Sequence, residues 1–318
     1  LGKYLLMTIY RTPSVLAYPG KSALFITLGI QNNQAAITKV LEFITGFSAL
    51  VRSMHGRFHD ENFNALMGIG SEAWDRLRPG KPKPKELTPF TAIKGEKHTA
   101  VATAGDLFFH IRADRQDICY EMAAMIDELL ADATYSIDEV SGFRYLDGRA
   151  IIGFVDGTEN PEDVSKAEYA LVGDEDPLFR NGSYAFTQKY LHNMQAWRQL
   201  SVEEQEKVIG RRRFNDIELS DEEKPKTAHS NVSKAYDAQG NELKIIRANV
   251  AFAHPSKNEY GTFFIGYARS FAVTRQMLQH MFTGNDEGHV DRLLDFSTPV
   301  SGSLYFIPAP DLLDEFDS

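Results

Sequence analysis

The residues that could do chemistry lie mostly in the second half of the chain. Asp156 stands in Gly153-Phe154-Val155-Asp156-Gly157-Thr158-Glu159-Asn160-Pro161, where an apolar stretch (150–155) runs into an aspartate followed by glycine. Gly157 permits a tight turn, and a loop of this kind can present Asp156 to a pocket or simply reverse the chain. Arg247 and Asn249 lie two apart in the apolar run IIRANVAF (245–252), so on a strand they share a face. A charge in such a run needs a partner, a ligand or an exposed face. His229 follows a charged stretch and precedes SNVSK. Asp291 and Asp295, in HVDRLLDFSTPV, are spaced to share one face of a helix, either as a solvated helix end or with one of them orienting a histidine. A metal-bound imidazole usually donates its other N–H to a carboxylate or carbonyl.

Other chemistries lack their signatures. There is no GxSxG elbow, no phosphate loop with its lysine, no dinucleotide fingerprint and no zinc-type cysteine–histidine cluster. His55 and His59 are four apart, but a glycine lies between them and the glutamate of HExxH is missing, which favours a solvated turn. His110 lies in the apolar run DLFFHIRA, as expected of a satisfied sheet histidine. The single cysteine, Cys119, sits at an apolar position of a helical pattern. One thiol can form neither an internal disulfide nor a CxxCH haem attachment.

These residues need elements to position them. In the first half, 22–28, 64–70, 106–113 and 134–145 read as strands, and 35–52 and 115–130 carry apolar residues at helical spacing. The order is β-α-β-β-α-β, the ferredoxin-like arrangement. The second half follows the same pattern without literal repetition. Strands are predicted at 183–192, 244–252, 262–267 and 303–307, and helices at 201–210 and 271–282. Ser201 with Glu204 forms a capping box, and Gly210 marks the stop. The fold class expected is α+β: two ferredoxin-like βαββαβ units, residues 1–146 and 147–318, with antiparallel sheets packed together as in dimeric α+β barrels and helices on the outer faces. The connection at 147–180, rich in Gly, Asp and Glu, is long enough to suggest a functional loop.

The 318 residues include 34 Lys plus Arg and 44 Asp plus Glu, a net charge of −10, with 43% hydrophobic residues. That is the composition of a globular protein, not of a nucleic-acid or anionic-membrane binder. No run approaches the roughly 18 apolar residues of a membrane span. The apolar segment 1–10 lacks the basic flank and cleavage site of a signal peptide, and a cytoplasmic location is expected.

Five separate motifs, GFVDGTENP, TAHSNVSK, IIRANVAF, EYGTFFIGYA and DRLLDFSTPVSGSLYFIP, together resemble the dye-decolourising peroxidases, most closely the compact bacterial forms without a secretion signal. They span about 153–308; in the first half GDLFFHIRA fits less distinctively. The resemblance implies one noncovalent haem b per chain in the C-terminal unit, with His229 as proximal iron ligand. It implies Asp291 as the carboxylate on that imidazole, with Asp295 the alternative, and Asp156, Arg247 and Asn249 on the distal side. Asp156 would then shuttle a proton between the peroxide oxygens, Arg247 would stabilise the charge on the leaving oxygen, and Asn249 would hold a distal ligand. Glu159 and nearby polar residues are expected to line the haem edge or its propionates. Hydrogen peroxide and an organic electron donor are the implied partners, and exposed sheet edges suggest a homo-oligomer. Two rivals are a haem carrier or haem iron-releasing (deferrochelatase-like) protein using the same pocket, and a non-haem α+β oligomeric binding protein. In the second, His229 is an ordinary loop residue.

Overall fold

The computed structural model describes residues 14–318; the apolar segment 1–10 lies outside the described residues. The first half contains strands β1 (Ser22–Ile30), β2 (Asn64–Gly70), β3 (Leu107–Ala113) and β4 (Thr134–Phe143). Helix α1 (Gln34–Arg57) connects β1 to β2, and α2 (Gln116–Leu130) connects β3 to β4. Their sheet order is β4-β1-β3-β2. The second half repeats the plan with β5 (Ser183–His192), β6 (Ile246–His254), β7 (Glu259–Ala268) and β8 (Ser303–Ile307), in the order β6-β7-β5-β8. Here α3 (Val202–Ile209) precedes β6, and α4 (Phe271–Thr283) connects β7 to β8. Both halves are ferredoxin-like units with antiparallel pairing throughout.

The two sheets do more than pack together. β8 pairs with β2 (Tyr305 with Gly70, Phe306 with Ile69), and β6 meets β4 at Ala251 and Phe143. These two seams close eight strands into one barrel, which leaves neither sheet with a free edge. The side-chain alternation of each strand then serves two cores. Leu24, Ile26 and Leu28 of β1 face the helices, with Val40, Phe43 and Ile44 of α1 and Ile118, Met122 and Ile126 of α2. Ala23 and Phe25 face the barrel interior with Phe108, Phe263, Ile265, Tyr267 and Tyr305.

Helix α1 starts where Asn33 Oδ1 accepts the Ala36 N–H at 2.9 Å. By length and composition it could cross a membrane, contrary to the absence of any such stretch expected from the sequence. In the fold it is a core helix: Ala36, Val40, Phe43, Ile44 and Phe47 form a buried stripe, while Lys39, Glu42 and Arg52 lie off it. The capping box at Ser201 and Glu204 is present, and Gly210 ends α3 in the left-handed conformation. Several elements escape the periodicity. Ser71–Leu77 is a helix whose buried Trp74 meets Phe179, Phe306 and Phe316 edge-on. The predicted strand 244–252 is shifted to Ile246–His254, and 134–145 ends at Phe143.

Candidate active site

Residues 150–155 form no strand. The segment is a pair of tight turns in which Gly153 N donates to Ala150 O at 2.8 Å and Gly153 takes a φ of 96°. Its apolar residues instead pack inward: Ile152 and Phe154 join Trp197, Val208 and Ile209 in a small core of their own. The turn after it needs a positive φ (84°) at Gly157 and aims Asp156 at β6. Both carboxylate oxygens of Asp156 accept from Asn249, one from its backbone N–H (2.9 Å) and one from its side-chain amide (2.8 Å). Asn160 adds a two-point clamp: its amide donates to Arg247 O (2.9 Å) and its oxygen accepts the Arg247 N–H (2.8 Å). The loop is therefore sewn to the strand that carries Arg247 and Asn249. Asn249 is expected from the resemblance to hold a distal ligand, but its amide is committed to Asp156.

His229 does not sit in an irregular loop. It opens a single helical turn, His229–Val232, which follows Ala228. Its Nδ1 lies 2.6 Å from Asp291 Oδ2, and Asp291 is buried. A carboxylate only accepts, so Nδ1 donates and Nε2 is the ring nitrogen left for a ligand. The other Asp291 oxygen accepts the Leu293 N–H at 2.9 Å and caps the 3₁₀ turn Arg292–Asp295. Because that turn is not an α-helix, Asp291 and Asp295 do not share a face. Asp295 lies at the surface against His98 Nε2 (3.0 Å) and Lys97. Arg247 Nη1 donates to Ser233 O, the end of the His229 turn, at 3.3 Å. Burial lowers the Arg247 guanidinium from its ordinary value, against the opposing pull of Glu159 and Asp156.

His229, Asp156, Arg247, Asn249 and Glu159 all line one cleft of about 1200 Å³, its open mouth included. Its walls are largely apolar, with Ile152, Phe154, Ile245, Phe264, Met277 and Leu278 among them. A shaped apolar cleft with a few convergent polar groups is the usual form of a cofactor site. Two further observations fit a haem. Gln188 Nε2 and Ser230 Oγ, both on cleft residues, are buried without a hydrogen-bond partner among the described residues. Arg211 also lines the cleft and offers a cation to an anionic cofactor edge. The donor set of one available imidazole nitrogen in an apolar slot suits an axially ligated haem rather than a bare ion. Among the described residues no group of three or more His, Cys, Asp or Glu side chains could hold a metal ion. His55 reaches Phe63 O (3.3 Å) and His59 faces Asp60 at the surface.

Glu159 is engaged with Arg211 at 2.9 Å, so it stands at the cleft as a counter-ion. Arg211 itself was not singled out by sequence; the one available signal was the Arg211–Arg213 run directly after the helix stop. Gln188, Tyr190 and His192, on one face of β5, also escaped. Tyr190 donates to Gln188 Oε1 at 2.6 Å, and His192 is held between Ser297 Oγ (2.6 Å) and Thr262 Oγ1 (2.7 Å). An alternating strand with polar residues on its outer face reads as solvent-facing until the cleft above it is known.

Comparison with known proteins gives a consistent result. The family model described as Dyp-type peroxidase, N-terminal matches residues 13–144, and that described as Dyp-type peroxidase, C-terminal matches residues 147–312. A dye-decolorizing peroxidase of Mycolicibacterium paratuberculosis is 47% identical over 302 residues, covering 95% of this chain and 84% of that protein. The crystal structure of a dye-decolorizing peroxidase from Bacteroides thetaiotaomicron superposes with a TM-score of 0.94 at 52% identity, covering 98% of this chain and 99% of that one. A Rhodococcus jostii RHA1 DypB variant in complex with heme superposes with a TM-score of 0.91 at 43% identity, covering 95% and 97%.

Proposed function

Because the chain belongs to the Dyp-type peroxidase family, we propose that it reduces hydrogen peroxide at a noncovalent haem b held in the cleft by His229, and that it oxidises organic donors, dyes and phenolics among them. The observation that carries this reading is that His229, backed by the buried Asp291, lines the same apolar cleft as Asp156 and Arg247. Haem, when bound, supplies the iron that takes up peroxide and the oxidising equivalents it delivers.

The protein's part is positioning and proton control. His229 would hold the iron through Nε2, the ring nitrogen that Asp291 leaves available. Asp291 accepts the Nδ1–H, fixes the tautomer and gives the imidazole anionic character, which favours oxidised iron. Asp156 takes the proton from one peroxide oxygen and returns it to the other. Asn249 aims that carboxylate with two donors. Arg247 is the fixed cation for the charge that develops as the O–O bond breaks. Arg211, balanced by Glu159 and Asp216, would meet the anionic cofactor edge.

The test is an absorbance titration with haemin followed by rapid mixing with one equivalent of hydrogen peroxide. A histidine-type Soret band and its fast change on mixing are expected. Asp156→Ala combined with Arg247→Leu should slow that change by roughly 10²–10⁴-fold. Undiminished reactivity in the double variant overturns the roles given to both residues. A Soret band that peroxide only slowly bleaches points to haem handling instead.

A further inference from the structure

The barrel interior holds a titratable pair that peroxide cleavage does not use. Tyr267 on β7 and His110 on β3 are both buried, and the Tyr267 hydroxyl lies 2.7 Å from His110 Nδ1. The two rings are nearly parallel, 10° apart, with centroids 6.3 Å apart. Phe25 stacks on His110 at 4.5 Å and on Phe263 at 4.0 Å, and Phe108 stacks on Tyr305 at 5.1 Å. Placing two polar rings in such a core is costly, and His110 Nε2 has no hydrogen-bond partner among the described residues.

The pair also adjoins the cleft. His110 and Tyr267 line a second cavity, about 1190 Å³ with its mouth, and Asp156, Gly157, Arg247 and Asn249 line both cavities. Tyr267 is in register with Ile246, the chain neighbour of Arg247.

We infer that Tyr267 is a reversible one-electron donor to the haem site, with His110 as its proton acceptor, so that the barrel core stores one oxidising equivalent when no external donor is bound. This rests on the peroxidase reading, which supplies the oxidant. In the step, Tyr267 gives one electron to the oxidised haem site, and its O–H bond breaks. The proton moves to His110 Nδ1, leaving a neutral phenoxyl beside an imidazolium. An organic donor later returns the electron to the phenoxyl, and His110 returns the proton. The resting state is set for this. Burial raises the Tyr267 phenol and depresses the His110 imidazole, with Arg112 adding to the latter, so both rings start neutral. An oxidised phenol is a far stronger acid than a phenol, so a weakly basic imidazole suffices to take the proton. Arg112 beside His110 disfavours the imidazolium and drives the proton back when Tyr267 is reduced.

The experiment uses the haem-loaded full chain mixed with one equivalent of hydrogen peroxide without donor, freeze-quenched for electron paramagnetic resonance, with absorbance followed in parallel. The wild type is expected to show a tyrosyl signal that narrows with ring-deuterated tyrosine. Tyr267→Phe should lose it, and Tyr305→Phe should keep it. His110→Gln should lower its yield and alter its high-field signature, since the hydrogen bond to the phenoxyl changes. An undiminished signal in Tyr267→Phe, or no protein radical in a wild type whose Soret band does respond to peroxide, overturns the inference and leaves the peroxidase reading standing. No spectral response to peroxide in the wild type takes down both.

Discussion

Asp291 and Asp295 carry the same functional group four residues apart and meet different partners: His229 in the interior, and Lys97 with His98 at the surface. The difference decides which one can influence the cleft. Asp291→Asn keeps the shape and the cap on Leu293 but removes the charge on the imidazole. We expect the peroxide reaction to slow by roughly 10–100-fold and the ferric reduction potential to rise, read by stopped-flow absorbance and redox titration. Asp295→Asn should change neither; a slowing equal to that of Asp291→Asn would contradict the assignment. Asp156 and Asn249 make the same point: alternation places Asn249 beside Arg247 on one face of β6, but that its amide is spent on Asp156 follows only from how the 150–157 turns fold back.

At the scale of elements, the stop of α3 and the turn of His229 are one packed unit. Gly210 has a φ of 91°, and a Cβ built on it would stand 2.1 Å from Ser230 Oγ and 3.2 Å from Ala228. Gly210→Ala is therefore expected to strain the backbone and displace the His229 turn. Thermal melts should fall and haemin occupancy should drop relative to Ser201→Ala, which loses about 1 kcal/mol of capping without touching His229. Equal haem occupancy in both variants would argue against the coupling. Helix α2 gives a separate check. Cys119 is buried on its inner face, and burial pushes its thiol up to about 12. A thiol reagent at pH 8 should label it only after denaturant unfolds the chain; labelling of the native protein at the unfolded rate would show α2 undocked.

For the whole molecule, the loops and helices packed over the barrel make the outer face of β5 and β7 the floor of the cleft, and His192 records that burial. Its imidazole is depressed from 6.5 to about 4 by burial. A depressed histidine is neutral in the fold and protonates more readily when unfolded. Its contribution is complete above about pH 6.5, declines as pH falls, and is gone below about pH 4, on the order of 3 kcal/mol in all. Urea midpoints should accordingly drop between pH 7 and pH 5, and His192→Gln should flatten that slope; an unchanged slope would place the acid sensitivity elsewhere. At this scale the two seams also matter. One residue pair across β4–β6 and two across β2–β8 form the seams, so the unit that carries His229 and the unit that carries His110 share one interior.

The sequence by itself determined the local grammar. Apolar runs located all eight barrel strands, apolar residues at helical spacing located α1 and α2, and the capping box with its glycine stop located α3, because each is a requirement of the element's own burial or termini. The site types were also legible: an aspartate before a turn glycine, an arginine and asparagine two apart on a strand, and a histidine with two candidate carboxylates. The family resemblance supplied the cofactor that such a set would serve. What tertiary structure decided was every relation between elements. The barrel seams, the choice of Asp291 over Asp295, the commitment of Asn249 to Asp156, the cation Arg211 and the His110–Tyr267 pair join residues 52 to 237 positions apart. Local pattern reports only what a residue's own turn or strand requires, and hydrogen bonds across such distances depend on the closed barrel and the packed loops that bring the partners together.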